Sequence, residues 1–328
     1  MIKIILSLDY EIYGNGKGDV IEHIINPTSN ILEICDKYSV PLSIMFEINE
    51  FLKFKEYKTV LKDNLGYSPT ELIKKQLISA IKGGHDVQLH THPQWLDAKY
   101  VEGKWILKDP QRNVNQLTDK QIQRFISTGK RAIENLIRDY KPDYRCTVLR
   151  LTNLNWKEAP KKVIPAMIDN SIYIHSLSTS NNTKNNSQGY WPLEPKGKVI
   201  EVPIHSVEVP KYKIYTNRRV RNVLYRRKYQ TKGDYRNVGK VSSPLSFLYG
   251  KHDLKWDFCN QTAEEMLDFL YIAMKNYNHK NEIVPLVMIG HSKDFDNSKE
   301  LLKFLGKVKN IFDPEQVDFS TFRDLFKN

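Results

Sequence analysis

Seven short apolar runs alternate with helix-like segments along the chain, and this alternation constrains the fold more than any other sequence feature. Several runs are nearly continuous in Val, Ile and Leu, which is typical of strands buried on both faces of a parallel sheet. The predicted strands are Ile2–Leu8, Pro41–Phe46, Asp86–Leu89, Cys146–Leu151, Ser171–His175, Val199–Ile204 and Pro285–Ile289. The predicted helices are Asn30–Lys37, Thr70–Ile81, Asp119–Arg138, Lys157–Ile168, Ala263–Asn276 and Ser298–Val308. The pattern predicts one α/β domain over residues 1–328.

Polar and ionisable residues follow four of these strands at the point where each strand ends. They are Asp9 and Glu11 after the first strand, His90 and His92 after the third, Arg150 and Asn153 after the fourth, and His291 after the seventh. In a parallel barrel the carboxyl ends of the strands meet at one mouth, where active sites are built. The sequence therefore predicts one shared site at this mouth.

The acidic pair Asp9 and Glu11 is separated by one residue, so both side chains point to the same face of a strand. Two close carboxylates repel each other unless a cation lies beside them. The pair therefore suits one metal ligand and one general base. The alternative is two solvated acids in a surface loop.

The imidazole pair His90 and His92 has the same spacing and forms half of a zinc-type site. A lone histidine is more often a core or surface residue than a ligand. Here a third histidine precedes the strand, and Pro93 and Trp95 follow it, which favours the metal-binding interpretation.

Taken in order, these residues resemble the polysaccharide deacetylases with the NodB homology domain, the type of carbohydrate esterase family 4. The first, second, third and fifth motifs of that family are resembled by Ser7–Glu11, by Gly84–Asp86 with His90, by Leu149–Asn153 and by Ile289–Ser292. The fourth motif is weak, with Asp169–Ser171 and Ser176 as its counterpart. The resemblance spans nearly the whole chain.

The resemblance implies a distorted (β/α)7 barrel and the metal-assisted removal of an acyl group from a sugar. Asp9 matches the catalytic base, Arg150 the arginine that orients it, and His291 the acid that protonates the leaving amine. Glu11, His90 and His92 would hold the metal. Zinc is the expected ion, with cobalt, nickel, manganese or iron as alternatives.

Two positions depart from the family pattern. The usual adjacent aspartates are replaced by Asp9 and Glu11, and the usual second ligand histidine, four residues after His90, is Gln94. Either His92 or Gln94 must then supply the missing ligand.

Substrate contacts are expected from residues near the mouth and from the basic segment. Trp95 and Trp191 offer aromatic faces that can stack on sugar rings, although aromatic residues are as often part of a core. The full set of predicted substrate-binding residues is Gln94, Trp95, Asn153, Trp191, Arg218 and Arg219.

A basic insertion at about residues 210–250 carries most of the net charge of +12. Between Pro210 and Lys240 eleven Lys and Arg stand against one acid, Asp234, and tyrosines lie among them. Most of the insertion is expected to be loop. It is interpreted as a solvated surface, as a nucleic-acid contact, or as a cationic rim for an acidic glycan, a nucleotide sugar or a lipid-linked glycan at an anionic membrane surface.

Cysteine content and hydropathy bear on the cellular compartment in which the protein is expected. The three cysteines have no Cys-x-x-Cys spacing, no signal peptide is recognisable, and no apolar stretch is long enough to span a membrane. These features predict a cytoplasmic protein, or one peripheral at the inner membrane face.

The leading functional hypothesis is a hydrolase that removes an acetyl or formyl group from an amino sugar or glycan intermediate in surface-polysaccharide biosynthesis. The alternative is a decayed deacetylase barrel that binds glycans without turnover. A nucleic-acid-binding protein is the third hypothesis, and nucleic acid is not an expected partner because no known nucleic-acid-binding motif is present.

Overall fold

The computed structural model describes residues 1–109, 112–151, 160–180, 189–229, 250–277 and 283–325. Its strands are β1 (Ile2–Tyr10), β2 (Leu42–Glu47), β3 (Asp86–Thr91), β4 (Lys99–Val101), β5 (Lys104–Ile106), β6 (Val148–Leu151), β7 (Ile174–His175), β8 (Trp191–Pro192), β9 (Ile200–Glu201), β10 (Ser206–Pro210), β11 (Lys251–Lys255), β12 (Val284–His291) and β13 (Val317–Phe319).

Seven parallel strands form a barrel in the spatial order β12, β1, β2, β3, β6, β7, β9. The barrel closes just after β9, where Ile204 makes a parallel bridge to Val287 of β12. Each of the seven strands falls within or overlaps one of the predicted apolar runs. The predicted (β/α)7 barrel is thus confirmed.

Most of the helices cover the outside of the barrel, whereas the last one places Phe322 in the cluster that fills it. The helices are α1 (Asn26–Lys37), α2 (Ile48–Glu56), α3 (Lys58–Leu65), α4 (Pro69–Lys82), α5 (Asp119–Ile137), α6 (Pro160–Asp169), α7 (Asn217–Arg226), α8 (Ala263–Asn276), α9 (Ser298–Ile311) and α10 (Phe322–Leu325). Within the described ranges, no helix combines the length and the apolar character needed to cross a membrane.

Part of the basic insertion is helical, which differs from the expectation of a loop. Helix α7 begins after Thr216, whose hydroxyl accepts a hydrogen bond from the backbone N–H of Arg219 and caps the first turn. Strands β10 and β11 form an antiparallel pair on either side of the insertion. Residues 230–249 of the insertion lie outside the described residues.

The barrel strands are buried on both faces, which explains their continuous apolar sequence. Along β1, Ile4, Leu6 and Leu8 belong to the large cluster packed against the helices, whereas Ile5 belongs to a smaller cluster that fills the barrel. Met45, Val148 and Val287 join Ile5 in that interior cluster. The alternation of side chains along each strand therefore decides which residues reach the mouth from inside.

Candidate metal and catalytic site

The residues at the mouth lie on the interior side of the barrel because they follow interior residues at a spacing of two. Glu47 follows Met45, Arg150 follows Val148, and His291 follows Ile289, each in the interior cluster. Asp9 continues the same face of β1 from Ile5 through Ser7. Period-two alternation on four parallel strands, β12, β1, β2 and β6, thus brings these side chains to one place.

Three donor atoms form a compact triangle at the centre of this site. The Nε2 atoms of His90 and His92 are 3.1 Å apart, and Glu11 Oε2 lies 3.5 Å from the first and 3.1 Å from the second. Ligands bonded at about 2.0–2.2 Å to a tetrahedral or octahedral ion are about 3.0–3.5 Å apart. The three atoms therefore already have the spacing of ligands around one ion.

The second nitrogen of each histidine ring is fixed by the protein. His90 Nδ1 lies 2.9 Å from the backbone oxygen of Arg150, so Nδ1 carries the proton and the lone pair of Nε2 faces the site. His92 Nδ1 lies 2.8 Å from the side-chain amide of Gln94. Nε2 of His92, rather than an atom of Gln94, therefore lies in the triangle. An N–H donated by the Gln94 amide nitrogen to Nδ1 places the proton of the neutral ring on Nε2, toward Glu11, whereas the tautomer with the proton on Nδ1 directs the Nε2 lone pair into the triangle.

A fourth donor, Glu47, was missed by the sequence analysis. Its Oε1 accepts from the backbone N–H of Asn49 and caps α2, and this bond turns Oε2 toward the triangle, 4.0 Å from His92 Nε2. Glu47 is 1% exposed, and Oε2 has no hydrogen-bond partner among the described residues. Ligand atoms of Glu11, Glu47, His90 and His92 all lie within 4.8 Å of one another.

Asp9 is fixed on one side of the triangle by Arg150. The guanidinium Nη1 donates to Asp9 Oδ1 at 2.5 Å, while Nε donates to the backbone oxygen of Ser176 at 2.8 Å. The other oxygen, Asp9 Oδ2, lies 3.4 Å from His291 Nε2 and 3.9 Å from His90 Nε2. One carboxylate oxygen is therefore occupied by Arg150, and the other faces the site.

Neighbouring positive charges favour the ionised forms of two carboxylates of the site, Asp9 and Glu11. Burial would raise the pKa of Asp9, but the charges of Arg150, His90 and His291 outweigh it and lower the pKa. Burial likewise opposes the charge of Glu11, and the Lys293 ammonium, 2.5 Å away, is the main reason that the pKa of Glu11 falls well below its usual range.

The two histidines differ in the metal-free protein. Burial lowers the pKa of His92 to about 3, so its ring is neutral at physiological pH. His90 is also buried, but the carboxylates of Asp9 and Glu11 outweigh the burial and raise its pKa. The raised pKa favours a second proton, on Nε2 of His90, and a metal ion bound at Nε2 would take the place of that proton.

Burial also raises the pKa of Glu47 well above its usual range, and the nearby carboxylates of Glu11 and Glu50 add to this shift. Burial and the neighbouring carboxylates therefore favour the protonated form of Glu47. A cation in the triangle would lower the pKa of Glu47 again, because a cation stabilises the ionised form of a neighbouring carboxyl group.

The remaining predicted substrate-binding residues lie away from the triangle or outside the described chain. Trp95 is 1% exposed and packs against the rings of Phe54 and Trp105, so its observed role is packing. Trp191 is half-buried on β8, in register with Glu201. Asn153 lies outside the described residues.

Arg218 and Arg219 lie on α7, and both guanidinium groups bond to the protein. Arg218 donates to the backbone oxygen of Asp296 at 3.1 Å, and Arg219 forms an ion pair with Glu265 at 3.3 Å. Substrate binding by these two residues stays a prediction.

Of the two site residues that the sequence analysis missed, Glu47 carries the same signal as those it found and Lys293 does not. Glu47 directly follows the second predicted strand, Pro41–Phe46, and Lys293 follows His291 by two residues. Applying the strand-end argument to all seven strands would have selected Glu47. Lys293 could not be found in this way, because only its packing beside Glu11 reveals its role.

Sequence comparisons identify no relative of the chain. No family model matches the sequence, and no curated protein matches it. Similarity is found among solved structures instead.

Three solved structures illustrate that similarity. A protein from Mycobacterium smegmatis assigned as a polysaccharide deacetylase superposes with a TM-score of 0.51 at 10% identity, covering 98% of this chain and 88% of its own. PuuE allantoinase gives a TM-score of 0.52 at 10% identity, with 99% and 88% covered. The 4-alpha-glucanotransferase from Thermococcus litoralis gives 0.56 at 11% identity, covering 99% of this chain but 40% of that one.

At this identity the likeness concerns the fold. The chain has the barrel of the polysaccharide deacetylases, as the motif resemblance predicted. The same architecture in an allantoinase and a glucanotransferase means that the chemistry must be argued from the site itself.

Proposed function

We propose that this protein is a metal-dependent hydrolase that removes an acyl group, acetyl or formyl, from an amino sugar or glycan intermediate. One observation carries the proposal: a buried carboxylate, Asp9, is held by Arg150 with one oxygen facing a triangle of metal-donor atoms. Carboxylates that Arg fixes beside a metal site serve as proton acceptors in metal-assisted hydrolysis.

Glu11, His90 and His92 would hold the metal, with Glu47 as a further donor. Imidazole and carboxylate ligands suit zinc, and also manganese, iron, cobalt and nickel. When bound, the ion would polarise the acyl carbonyl and lower the pKa of a water molecule. Glu47 Oε2 has no hydrogen-bond partner among the described residues, and the ring of His92 is neutral. Both fit a metal site, because a bound cation would favour the ionised form of Glu47 and would bind a neutral imidazole.

The residues around the donor triangle divide the proton transfers between them. Asp9 accepts the proton of the attacking water at Oδ2, since Arg150 already bonds Oδ1. His291 delivers a proton from Nε2 to the leaving nitrogen, and its side chain is 28% exposed, so it can exchange protons with solvent. Arg150 positions Asp9 and does not touch the substrate.

A cavity next to the loop that follows Glu11 has a mixed apolar and polar lining of the kind that suits a sugar, and none of the donor or catalytic residues is part of that lining. Its volume is about 510 Å³, and it is bordered by the loop that continues from Glu11 and by the β4–β5 hairpin. Trp105, Tyr100 and Tyr229 contribute aromatic rings to the lining, and Asp19 and Lys104 contribute polar groups. Apolar ring faces with a few polar groups fit the two kinds of surface on a pyranose.

The acyl-transfer proposal is tested by measuring acetate or formate released from a panel of N-acylated amino sugars and glycans. The protein is assayed after chelation and again after reloading with zinc, cobalt, nickel, manganese or iron. We expect release only from the reloaded protein. Equal release from stripped and reloaded protein would refute the metal-dependent mechanism.

A second candidate is a glycan-binding protein without turnover, and one observation favours it. Lys293 and Arg150 already neutralise Glu11 and Asp9, so the site is electrically balanced without a metal. This candidate predicts saturable glycan binding by the metal-free protein and no acyl release with any ion. The reloading experiment therefore separates the two.

Substitution of Glu47 by Gln is expected to lower metal affinity by about 10- to 100-fold. The amide keeps the cap on α2 through its oxygen but offers no negative charge to the ion. Affinity is measured by competition with a chromophoric chelator. Glu50→Gln is the matched control, since Glu50 is equally buried but bonds the backbone N–H of Ile12. Equal affinities for both variants would show that Glu47 is not a ligand.

A further inference from the structure

Helix α7 is attached to the barrel through its polar side chains. The Arg226 guanidinium makes two bonds of 2.7 Å to the carboxylate of Asp294, whose side chain is 5% exposed. One turn earlier, Asn222 is 9% exposed and donates to Asn260 at 2.8 Å. A bidentate Arg–carboxylate pair and a buried amide bond fix the orientation of the helix.

The opposite face of α7 is apolar and exposed to solvent. It consists of Val220, Val223 and Leu224, which are 47%, 48% and 54% exposed. Their spacing of three and four residues places them side by side on one face, which we call the α7 face. A surface helix normally buries its apolar stripe and exposes its charges, so α7 is docked the other way round. Exposed apolar surface of this kind marks an interaction site.

Cations and tyrosines flank the α7 face. Arg227 and Lys228 are exposed at the end of the helix, and Lys213 is exposed just before it. Tyr212 and Tyr215, beside Lys213, are 54% and 58% exposed. Apolar side chains bordered by Lys, Arg and Tyr are the composition that binds the interface of an anionic lipid bilayer.

The barrel-facing side of helix α7, opposite the α7 face, lies next to the candidate site. Asp294, which anchors Arg226, is three residues beyond His291. A cavity of about 310 Å³ separates α7 from Lys293, the partner of Glu11. A surface bound to α7 would therefore lie close to the barrel mouth.

We propose that the α7 face docks on an anionic lipid surface and brings the barrel mouth to it. Val220, Val223 and Leu224 insert among the acyl chains near the headgroups, while Lys213, Arg227 and Lys228 contact anionic headgroups. The substrate class rests on the proposed function: if that function holds, the substrate is an acylated glycan carried on a lipid.

The test is sedimentation with vesicles of phosphatidylcholine alone and of phosphatidylcholine with phosphatidylglycerol. The wild-type protein should bind the anionic vesicles, and less so as salt is raised. Val220→Asp should weaken binding by at least about tenfold, since a charge replaces a side chain that inserts. Val60→Asp is the matched control, because Val60 on α3 is also 47% exposed.

A second readout locates the contact. The described cysteines, Cys35, Cys146 and Cys259, are buried, so a cysteine placed at Val223 can be labelled selectively. An environment-sensitive fluorophore at Val223→Cys should shift to the blue with anionic vesicles, and the same label at Val60→Cys should not.

Three results would overturn the proposal: no binding to anionic vesicles, equal binding by wild type and Val220→Asp, or a wild-type dimer that Val220→Asp dissociates. The last result would assign the α7 face to a second copy of the chain. Acyl release from soluble sugars is measured on the same variants. Retained release without vesicle binding refutes docking alone, and vesicle binding without release under any metal refutes the proposed function alone.

Discussion

Replacing Asp9 by Asn is expected to lower kcat/KM by at least about 10²- to 10⁴-fold while leaving the metal bound. Asn has the same shape and can still accept the hydrogen bond from Arg150, so the side chain stays in place. It cannot take a proton from water at neutral pH. The donor atoms of Glu11, His90 and His92 are untouched, and metal content measured by mass spectrometry should equal that of the wild type.

The control for this variant must separate lost catalysis from lost stability. Removing the charge of Asp9 leaves Arg150 buried without a charged partner, which costs up to about 3–5 kcal/mol of unfolding free energy. The thermal unfolding of the variant is therefore measured as well, and its kinetics are measured at a temperature where it is folded. Asp86→Asn alters another buried aspartate, at the start of β3, and should retain activity. Full activity of Asp9→Asn would show that another group accepts the proton.

Replacing His90 by Ala is expected to abolish metal binding. His90 supplies one of the three donor atoms of the triangle, whose sides are 3.1–3.5 Å. His92 and Glu11 already supply the other two, so neither can replace the missing donor. Metal content should fall from near-stoichiometric to the background of the assay. The rise in melting temperature that added metal gives the wild type should also vanish, since that rise depends on binding to the folded state.

His85→Ala is the matched control for the second variant. His85 lies at the start of the same strand, is equally buried, and bonds the backbone N–H of Leu42 and the carboxylate of Asp36. Its loss should lower stability without changing metal content. If His90→Ala kept its metal, or if His85→Ala lost it as well, the ion would not be bound by the triangle.

The barrel and much of the site could be predicted because both depend on local patterns. Continuous apolar runs mark strands buried on two faces, and the residues that end those strands are visible in the sequence. Asp9, Arg150 and His291 are drawn together by the parallel arrangement alone. These residues are up to 282 positions apart in the sequence, but their meeting can still be predicted because all parallel strands of a barrel end at one mouth.

Other features could not be predicted because they depend on which atoms meet. Whether His92 or Gln94 supplies the donor is decided by the orientation of one ring, which the amide of Gln94 holds from behind. Lys293 becomes part of the site only because its side chain reaches Glu11. The charge of each group then depends on burial and on neighbours from distant strands.

The sequence by itself predicted seven buried parallel strands in one α/β domain and the mouth where their polar ends collect, because a strand buried on both faces has a continuous apolar sequence and parallel strands end at one edge. The (β/α)7 barrel was implied by the family resemblance. Only the tertiary structure decided the donor geometry of the site, the inclusion of Lys293, and the outward apolar face of α7. These depend on contacts between residues far apart in the chain, such as Arg226 with Asp294, and no local pattern encodes such contacts.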